Sequence, residues 1–156
     1  MQGKFNIYIQ KWYEVNGEMN MSTRVLISGI NGFIGHNLAS DLINKGYKVY
    51  GISKSEIKIN NAVIYKADIL DRDNILKICK DKDYIIHLAA VTEYKSISEY
   101  PIRSLEVNLI GTYNLLQAFV QSKAKMFIFP SSGKVYGKPQ HLPYKETHPT
   151  NPDTNL

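Results

Sequence analysis

The sequence has few of the features that are typical of extracellular or membrane proteins. Its 156 residues include a single cysteine, Cys79, which excludes an internal disulfide and fits a reducing compartment. No apolar run approaches the roughly 18 residues that span a bilayer. The first twenty residues also lack the continuous apolar stretch of a secretory signal. We therefore expect a cytoplasmic protein with no membrane partner.

Patterns typical of metal sites and of nucleic-acid binding are also lacking. The four histidines show neither zinc-ligand spacing nor an H-E-x-x-H pattern, so we predict no metal site. The net charge of +5 comes from scattered lysines rather than from a basic stripe with interleaved aromatic residues. We expect a solvated basic surface and no nucleic-acid partner, and an anionic small ligand suits this charge equally well.

Apolar segments of alternating character predict an α/β domain. Buried strands are expected at residues 24–28, 47–52, 62–67, 84–89 and 126–129. Helices are expected at residues 33–45, 71–80 and 105–122. Strands that alternate with helices imply right-handed crossovers and a doubly wound parallel sheet, the Rossmann fold. On the long helix, the residues expected to face inward are Leu105, Leu109, Leu116, Phe119 and Val120.

Both ends of the chain lack this regular alternation. Residues 1–20 show no clear period and precede a second plausible start at Met19 or Met21, so we expect an extension outside the fold. The folded domain is then expected over residues 21–156. After Pro130 the chain is rich in Pro, Gly, Ser and Thr, which predicts a loop that is functional or belongs to an incomplete domain.

A glycine-rich turn, G-I-N-G-F-I-G at residues 29–35, joins the first predicted strand to the first helix. The first glycine permits a tight turn, the second lets a pyrophosphate approach the backbone, and the third lets the helix pack on the strand. A strand, a glycine turn and a helix in this order predict a dinucleotide site. The predicted cofactor contacts in the turn are Gly29, Asn31, Gly32, Phe33, Ile34 and Gly35.

The acidic residue that would hold the ribose of NAD is missing after the second predicted strand. Ser53 and Lys54 stand there instead, and a lysine with neighbouring hydroxyls suits the 2′-phosphate of NADP. An exposed turn lysine without a ligand explains the same residues. The cofactor is therefore predicted to be NAD or NADP, with NADP favoured at this position.

Further motifs make the chain resemble the extended short-chain dehydrogenase/reductases, in particular the NAD-dependent epimerase/dehydratase family of the UDP-galactose 4-epimerase type. The glycine spacing G-x-x-G-x-x-G is the one that family carries. The other matching segments are A-D-I at 67–69, H-L-A-A at 87–90, N-x-x-G-T-x-N-L-L at 108–116 and S-S-x-x-V-Y-G at 131–137. The resemblance covers residues 24–156.

The resemblance implies further cofactor contacts. Asp68, followed by Ile69, would hydrogen-bond the adenine, although a helix cap explains the aspartate as well. The backbone at Leu88, Ala89 and Ala90 would pass beneath the ribose and pyrophosphate. His87, taken alone, is more simply a core histidine with satisfied hydrogen bonds than a catalytic base.

The resemblance also implies residues for the chemistry. Asn108 would be a buried helix asparagine that supports the active site, and Gly111 would allow close packing. Ser132 falls on the catalytic serine or threonine, whose hydroxyl would bind the sugar hydroxyl that becomes a carbonyl. Gly133 and Lys134 replace the adjacent Asp and Glu of the 4,6-dehydratases, which places dehydratase activity below epimerase or reductase activity.

The family's base is a tyrosine in Y-x-x-x-K, and this pair is not found in the expected place. Tyr50 and Lys54 match the letters, but they belong to the second predicted strand and its end rather than to a helix after the fifth strand. Reading the end of the chain against the family pattern puts Leu156 on the tyrosine position or one before it. We therefore expect the cofactor-binding N-terminal half of a longer protein.

Three hypotheses follow for the function. The first is an NAD(P)-dependent sugar-nucleotide epimerase or reductase that transfers hydride at a hexose carbon. A nucleotide sugar would be the substrate of the complete protein, and the long helix would take part in a homodimer. The second is a non-catalytic dinucleotide-binding or redox-sensing protein of the atypical short-chain dehydrogenase type. The third is a gene remnant that does not fold stably, because a parallel sheet that lacks later strands exposes an edge.

Overall fold

Five parallel strands form the centre of the computed structural model, which describes residues 22–92 and 99–152. They are β1 (Arg24–Ser28), β2 (Lys48–Ser53), β3 (Ala62–Lys66), β4 (Tyr84–His87) and β5 (Met126–Ile128). Their order in the sheet is β3-β2-β1-β4-β5. The predicted doubly wound parallel sheet is confirmed. The predicted extension, residues 1–20, and Leu156 lie outside the described residues.

The helices connect these strands on both faces of the sheet. They are α1 (Phe33–Asn44), α2 (Arg72–Cys79), α3 (Pro101–Leu105) and α4 (Thr112–Val120), with a π-helical segment (Glu106–Gly111) that joins α3 to α4 and a short 3-10 helix (Gly133–Tyr136). The long helix predicted over 105–122 thus begins earlier, at Pro101. Over residues 22–92 and 99–152, no helix has both the length and the apolar character that crossing a bilayer requires.

Alternate residues of β1 enter two separate hydrophobic layers, as the two-residue period of a strand requires. Val25 and Ile27 pack with α1 residues such as Leu38 on one face. Leu26 packs on the other face with Ile75 of α2 and with residues of α4. The central strand is therefore buried on both sides, which explains its nearly continuous apolar sequence.

Gly46 directly follows the predicted first helix, and in the structure it ends α1. Its φ of +86° is in the left-handed region, which glycine occupies without a steric penalty. Its N–H donates to the Ile43 carbonyl at 2.9 Å, and the N–H of Tyr47 donates to the Leu42 carbonyl at 3.0 Å. This pair of hydrogen bonds satisfies the last carbonyls of the helix and turns the chain into β2.

The prediction of which residues of the long helix face inward was wrong. Leu105, Leu109, Leu116 and Val120 are exposed, and only Phe119 of the predicted set packs partly against the core. The buried face carries Leu115 and Ala118 instead. Apolar residues lie on both sides of this helix, so their spacing in the sequence does not show which side is buried. Small residues on the packed face, such as Ala118, let the helix approach α2 closely.

Candidate functional site

A cavity of about 310 Å³ opens where the carboxyl ends of four strands meet. It lies beside β1, from which the strand order runs outward in both directions, and open α/β sheets bind ligands at such a point. The residues that line it lie at or just after the ends of β1, β2, β3 and β4 or belong to the helical run that begins at Pro101. They are Gly29, Asn31, Gly32, Ile52, Ser53, Lys54, Ala67, Asp68, Ile69, Leu88, Ala89, Ala90, Val91, Arg103 and Val107.

Most of the residues predicted to contact a cofactor meet at this cavity, but four do not line it. Phe33 and Ile34 are exposed on the first turn of α1, with 82% and 46% of their surface accessible. Gly35 is buried beneath the turn, and Asn108 lies on the neighbouring helix. These four residues lie around the cavity rather than in its wall.

Arg103 and Val107 line the cavity without having been singled out from the sequence. Both belong to the helical run that begins at Pro101. Proline is favoured at the first position of a helix, so Pro101 was a signal for the earlier start. Had that start been recognised, Arg103 would have been placed in the first turn of the helix that follows the fourth strand.

The glycine turn has little space for side chains at two of its three glycines. Gly29 has a φ of +70°, and a Cβ atom there would lie 2.7 Å from the backbone nitrogen of Ala89. A Cβ atom on Gly35 would overlap the carbonyl oxygen of Gly29. Gly32 is less confined, because its Cβ would approach that same oxygen only to 3.3 Å. Gly29 and Gly35 are thus required by the fold, whereas Gly32 borders the open cavity.

Helix α1 begins at the cavity wall. Gly32 is its N-cap, and the N–H of Gly32 donates to the Gly29 carbonyl at 3.0 Å. The amides of the first helical turn have no acceptor within the helix, and they carry the positive end of the helix dipole. With no side chain on Gly32, an anionic group can approach these amides closely.

Three charged side chains line the cavity on its β2 and β3 side. Lys54 Nζ lies 3.1 Å from Asp68 Oδ2, and Arg103 Nη2 lies 3.0 Å from the same oxygen. Burial acts to raise the pKa of Asp68, but the Leu70 amide and the two cations outweigh it and hold that pKa below its ordinary value. Asp68 is therefore ionised at neutral pH and holds both cations at the cavity.

Buried polar side chains form a hydrogen-bond chain behind the cavity. The Thr112 hydroxyl donates to the Asn108 carbonyl at 2.7 Å, so Thr112 Oγ1 accepts from His87 Nε2 at 2.9 Å. Nδ1 of His87 is then the acceptor for the Ser28 hydroxyl, 2.6 Å away. Burial lowers the pKa of His87 to about 4. The prediction of a core histidine with satisfied hydrogen bonds is confirmed.

The segment after β4 is held at both ends by side chains. Ser28 Oγ accepts from the backbone N–H groups of Leu88 and Ala89 at 3.2 and 3.3 Å. Further along, the Asn108 amide accepts from Val91 N at 2.8 Å and donates to Val91 O at 2.9 Å. Asn108 is exposed, so its predicted burial was wrong.

The segment after β3 is held by the long helix. A Cβ atom on Gly111 would overlap Cδ1 of Ile69, which confirms the close packing expected at this glycine. Asn114, one turn further, donates to the Ile69 carbonyl at 3.0 Å. Ile69 and Asp68 are thereby fixed in the cavity wall.

The predicted catalytic serine is not among the residues that line the cavity. Ser132 is exposed and precedes the short 3-10 helix, where its Oγ accepts from the Lys134 N–H at 3.2 Å. Tyr50 lies within β2 and stacks on Tyr65, with ring centroids 6.3 Å apart. This agrees with the interpretation of Tyr50 and Lys54 as a chance match to Y-x-x-x-K.

Comparison with known proteins agrees with this geometry. The model of the NAD dependent epimerase/dehydratase family matches residues 25–155. A putative UDP-glucose 4-epimerase of Methanocaldococcus jannaschii is 36% identical over 135 residues, which cover 82% of this chain and 44% of that protein. A UDP-N-acetyl-alpha-D-glucosaminuronate decarboxylase of Bacillus cytotoxicus is 37% identical over 126 residues, which cover 76% and 39%.

A solved structure shows the same fold. The UDP-glucose 4-epimerase of Bifidobacterium longum, in complex with NAD+ and UDP, is 29% identical and superposes with a TM-score of 0.72. The match covers 83% of this chain and 43% of that one, so the chain spans less than half the length of these relatives. With the family model matching nearly the whole described sequence, the chain belongs to the NAD-dependent epimerase/dehydratase family.

Proposed function

We propose that the chain is the cofactor-binding part of an NAD(P)-dependent enzyme that epimerises or reduces a nucleotide sugar by hydride transfer at a hexose carbon. The observation that carries the proposal is the cavity at the carboxyl edge of the sheet, with Gly32 and the first-turn amides of α1 in its wall. The names of the relatives, which are UDP-sugar epimerases and a decarboxylase, support the substrate class.

The residues in the cavity wall fit a dinucleotide. Gly32 leaves room for a diphosphate at the amides of α1, which favour a negative charge there. Ala89 and Ala90 present small side chains where the backbone after β4 borders the cavity. Asp68 and Ile69 would contact the adenosine end. When bound, the nicotinamide would accept or donate the hydride, while the chain binds and orients it.

We assign two roles outside the cavity wall. Asn108 positions the segment after β4 through its two hydrogen bonds to Val91. Ser132 would hydrogen-bond the sugar hydroxyl that is oxidised, as the family resemblance implies. Because Gly133 and Lys134 supply no carboxylic acid beside Ser132, we favour epimerase or reductase over dehydratase chemistry.

Titration with NADH and NADPH, followed by nicotinamide fluorescence, tests the cofactor site. We expect saturable binding, and we expect Gly32→Val to weaken it at least about tenfold, because the new side chain would enter the space of the diphosphate. Gly133→Val is the control, since nothing lies within 4 Å of a Cβ atom at Gly133. If neither dinucleotide gives a saturable signal with the folded chain, the proposal is wrong.

We also propose that the exposed apolar face of the long helix contacts a second copy of the chain. Its large apolar side chains are at least 42% exposed, and an apolar surface of this kind usually marks an interface. They are Ile102, Leu105, Leu109, Ile110, Tyr113, Leu116 and Val120. Sedimentation velocity should show a dimer that Leu109→Glu converts to monomer, and a monomeric wild-type chain at high concentration would contradict the proposal.

A further inference from the structure

Lys54 and Arg103 approach the cavity from different elements and meet at one atom. Lys54 follows β2, whereas Arg103 belongs to α3, yet the Nζ atom of one and the Nη2 atom of the other both contact Oδ2 of Asp68, at 3.1 and 3.0 Å. Two cationic groups therefore lie side by side in the cavity wall and share a single carboxylate oxygen. Among the residues that line this cavity, these three are the charged ones, and their sum is positive.

The position of Lys54 identifies which part of a dinucleotide these cations face. In Rossmann folds the residue that contacts the 2′ position of the adenosine ribose comes at the end of the second strand, about 20 residues beyond the glycine turn. Here that place is taken by Ser53 and Lys54. A carboxylate there would bind the 2′-hydroxyl of NAD and repel a phosphate, whereas an ammonium group attracts one.

Because Arg103 lies beside Lys54, an exposed turn lysine alone does not explain this part of the cavity. Arg103 Nη1 lies 3.4 Å from the exposed Glu106, so the Nη2 side of the guanidinium is the one that faces Asp68 and the cavity. A phosphate dianion offers several acceptor oxygens, and an arginine and a lysine can bind different ones at once. Asp68 orients both side chains before any ligand arrives.

We infer that Lys54 and Arg103 form a clamp for the 2′-phosphate, so that the chain binds NADP(H) in preference to NAD(H). The inference rests on the proposed dinucleotide site and specifies which of the two cofactors occupies it. On binding, the phosphate replaces Asp68 as a partner of the exposed Lys54 ammonium. Asp68 is then left with Arg103 and with the Leu70 amide, which donates to its Oδ1 at 3.0 Å.

The test compares 2′,5′-ADP with 5′-AMP, two fragments that differ only in the 2′-phosphate, by calorimetric titration of the full chain. We expect 2′,5′-ADP to bind about tenfold tighter or more, as a charge-assisted contact to phosphate provides. Lys54→Gln and Arg103→Gln should each weaken 2′,5′-ADP about three- to tenfold, because both groups are partly solvated. Binding of 5′-AMP should change less than about twofold, within the effect of an exposed charge.

Lys58→Gln is the matched control, because it removes the same charge from an exposed lysine outside the cavity wall. It should leave both affinities unchanged. Circular dichroism confirms that each variant is folded, and Lys54, whose side chain is 60% exposed, is the substitution least able to disturb the fold.

Two results would overturn the inference while leaving the dinucleotide site in place. One is equal binding of the two fragments by the wild-type chain. The other is an equal loss of affinity for both fragments in Lys54→Gln, which would assign the lysine to the 5′-phosphate that they share. If neither fragment nor NADPH binds to the folded chain, the proposed function fails, and the inference fails with it.

Discussion

The Oγ atom of Ser28 lies 2.6 Å from Nδ1 of His87, and both residues are buried at the carboxyl ends of neighbouring strands. Ser28 Oγ also accepts from the amides of Leu88 and Ala89, which border the cavity. Because the Ser28 hydroxyl has one proton, it can donate to His87 only while Nδ1 is unprotonated. A neutral imidazole is therefore part of the structure that shapes the cavity.

Acid should destabilise the fold through His87. Burial lowers its pKa from 6.5 to about 4, so between these values the unfolded chain takes up a proton that the folded chain does not. The unfolded state then binds more protons, and the free energy of unfolding falls as the pH falls through this window. We expect a loss of up to about 3 kcal/mol, measured by urea denaturation at intervals between pH 7 and pH 4.

His87→Gln isolates this contribution. Glutamine does not titrate, and every other acidic or basic group is common to the two proteins, so their effects cancel in the difference between the curves. The wild-type chain should lose more stability than His87→Gln between about pH 6.5 and pH 4, and the two curves should run parallel below that. Parallel curves throughout would show that folding does not lower the pKa of His87.

The three glycines of the turn should respond differently to alanine. Gly29→Ala forces a side chain into a positive φ and against the Ala89 backbone, and Gly35→Ala overlaps the Gly29 carbonyl. Each should lower the free energy of unfolding by about 2–4 kcal/mol. Gly32→Ala, with a closest approach of 3.3 Å, should cost less than either. Thermal unfolding measures all three.

Gly133→Ala serves as the reference for these variants, because its Cβ would lie in open space. Its free energy of unfolding should stay within about 0.5 kcal/mol of the wild type. A loss in Gly32→Ala as large as that in Gly29→Ala would contradict the description of Gly32 as a position bordering open space.

Asn108→Ala should loosen the segment after β4 without unfolding the domain. The substitution removes both hydrogen bonds to the Val91 backbone, and on an exposed residue this costs about 1 kcal/mol, since water replaces the lost partners. Amide hydrogen exchange should accelerate at Val91 while the amides of β1 keep their protection. Unchanged exchange at Val91 would show that the amide of Asn108 does not hold this segment.

The elements that could be predicted from the sequence are those determined by residues close together in the chain. The apolar strand Arg24–Ser28, the glycine turn after it and the end of the first helix before Gly46 each depend on near neighbours, and each lies where it was predicted to within a residue. The residues predicted around the cofactor meet because parallel strands end at one edge of the sheet. Asp68 and Lys54, though distant in sequence, are brought together for that reason.

What the sequence did not indicate depends on tertiary contacts. Arg103 of α3 contacts Asp68, which follows β3, and no period in the sequence relates the two. The long helix has apolar residues on two sides, and Leu115 rather than Leu116 is buried in the core. The π-helical segment Glu106–Gly111 was not visible in a pattern of 3.6 residues, although it places Gly111 against Ile69.

That last contact can be tested by a double-mutant cycle. Alanine usually stabilises a helix relative to glycine by up to about 1 kcal/mol, yet Gly111→Ala should destabilise this one, because the new methyl overlaps Cδ1 of Ile69. Ile69→Ala removes Cδ1 and also Cγ1, which the new methyl would overlap as well, and leaves Cβ at an ordinary contact distance of 3.6 Å, at a cost of about 2–5 kcal/mol. In the double variant the two losses should not add, and the coupling should recover about 1 kcal/mol in chemical denaturation. Additive losses would mean that a methyl group at residue 111 does not contact the side chain of Ile69.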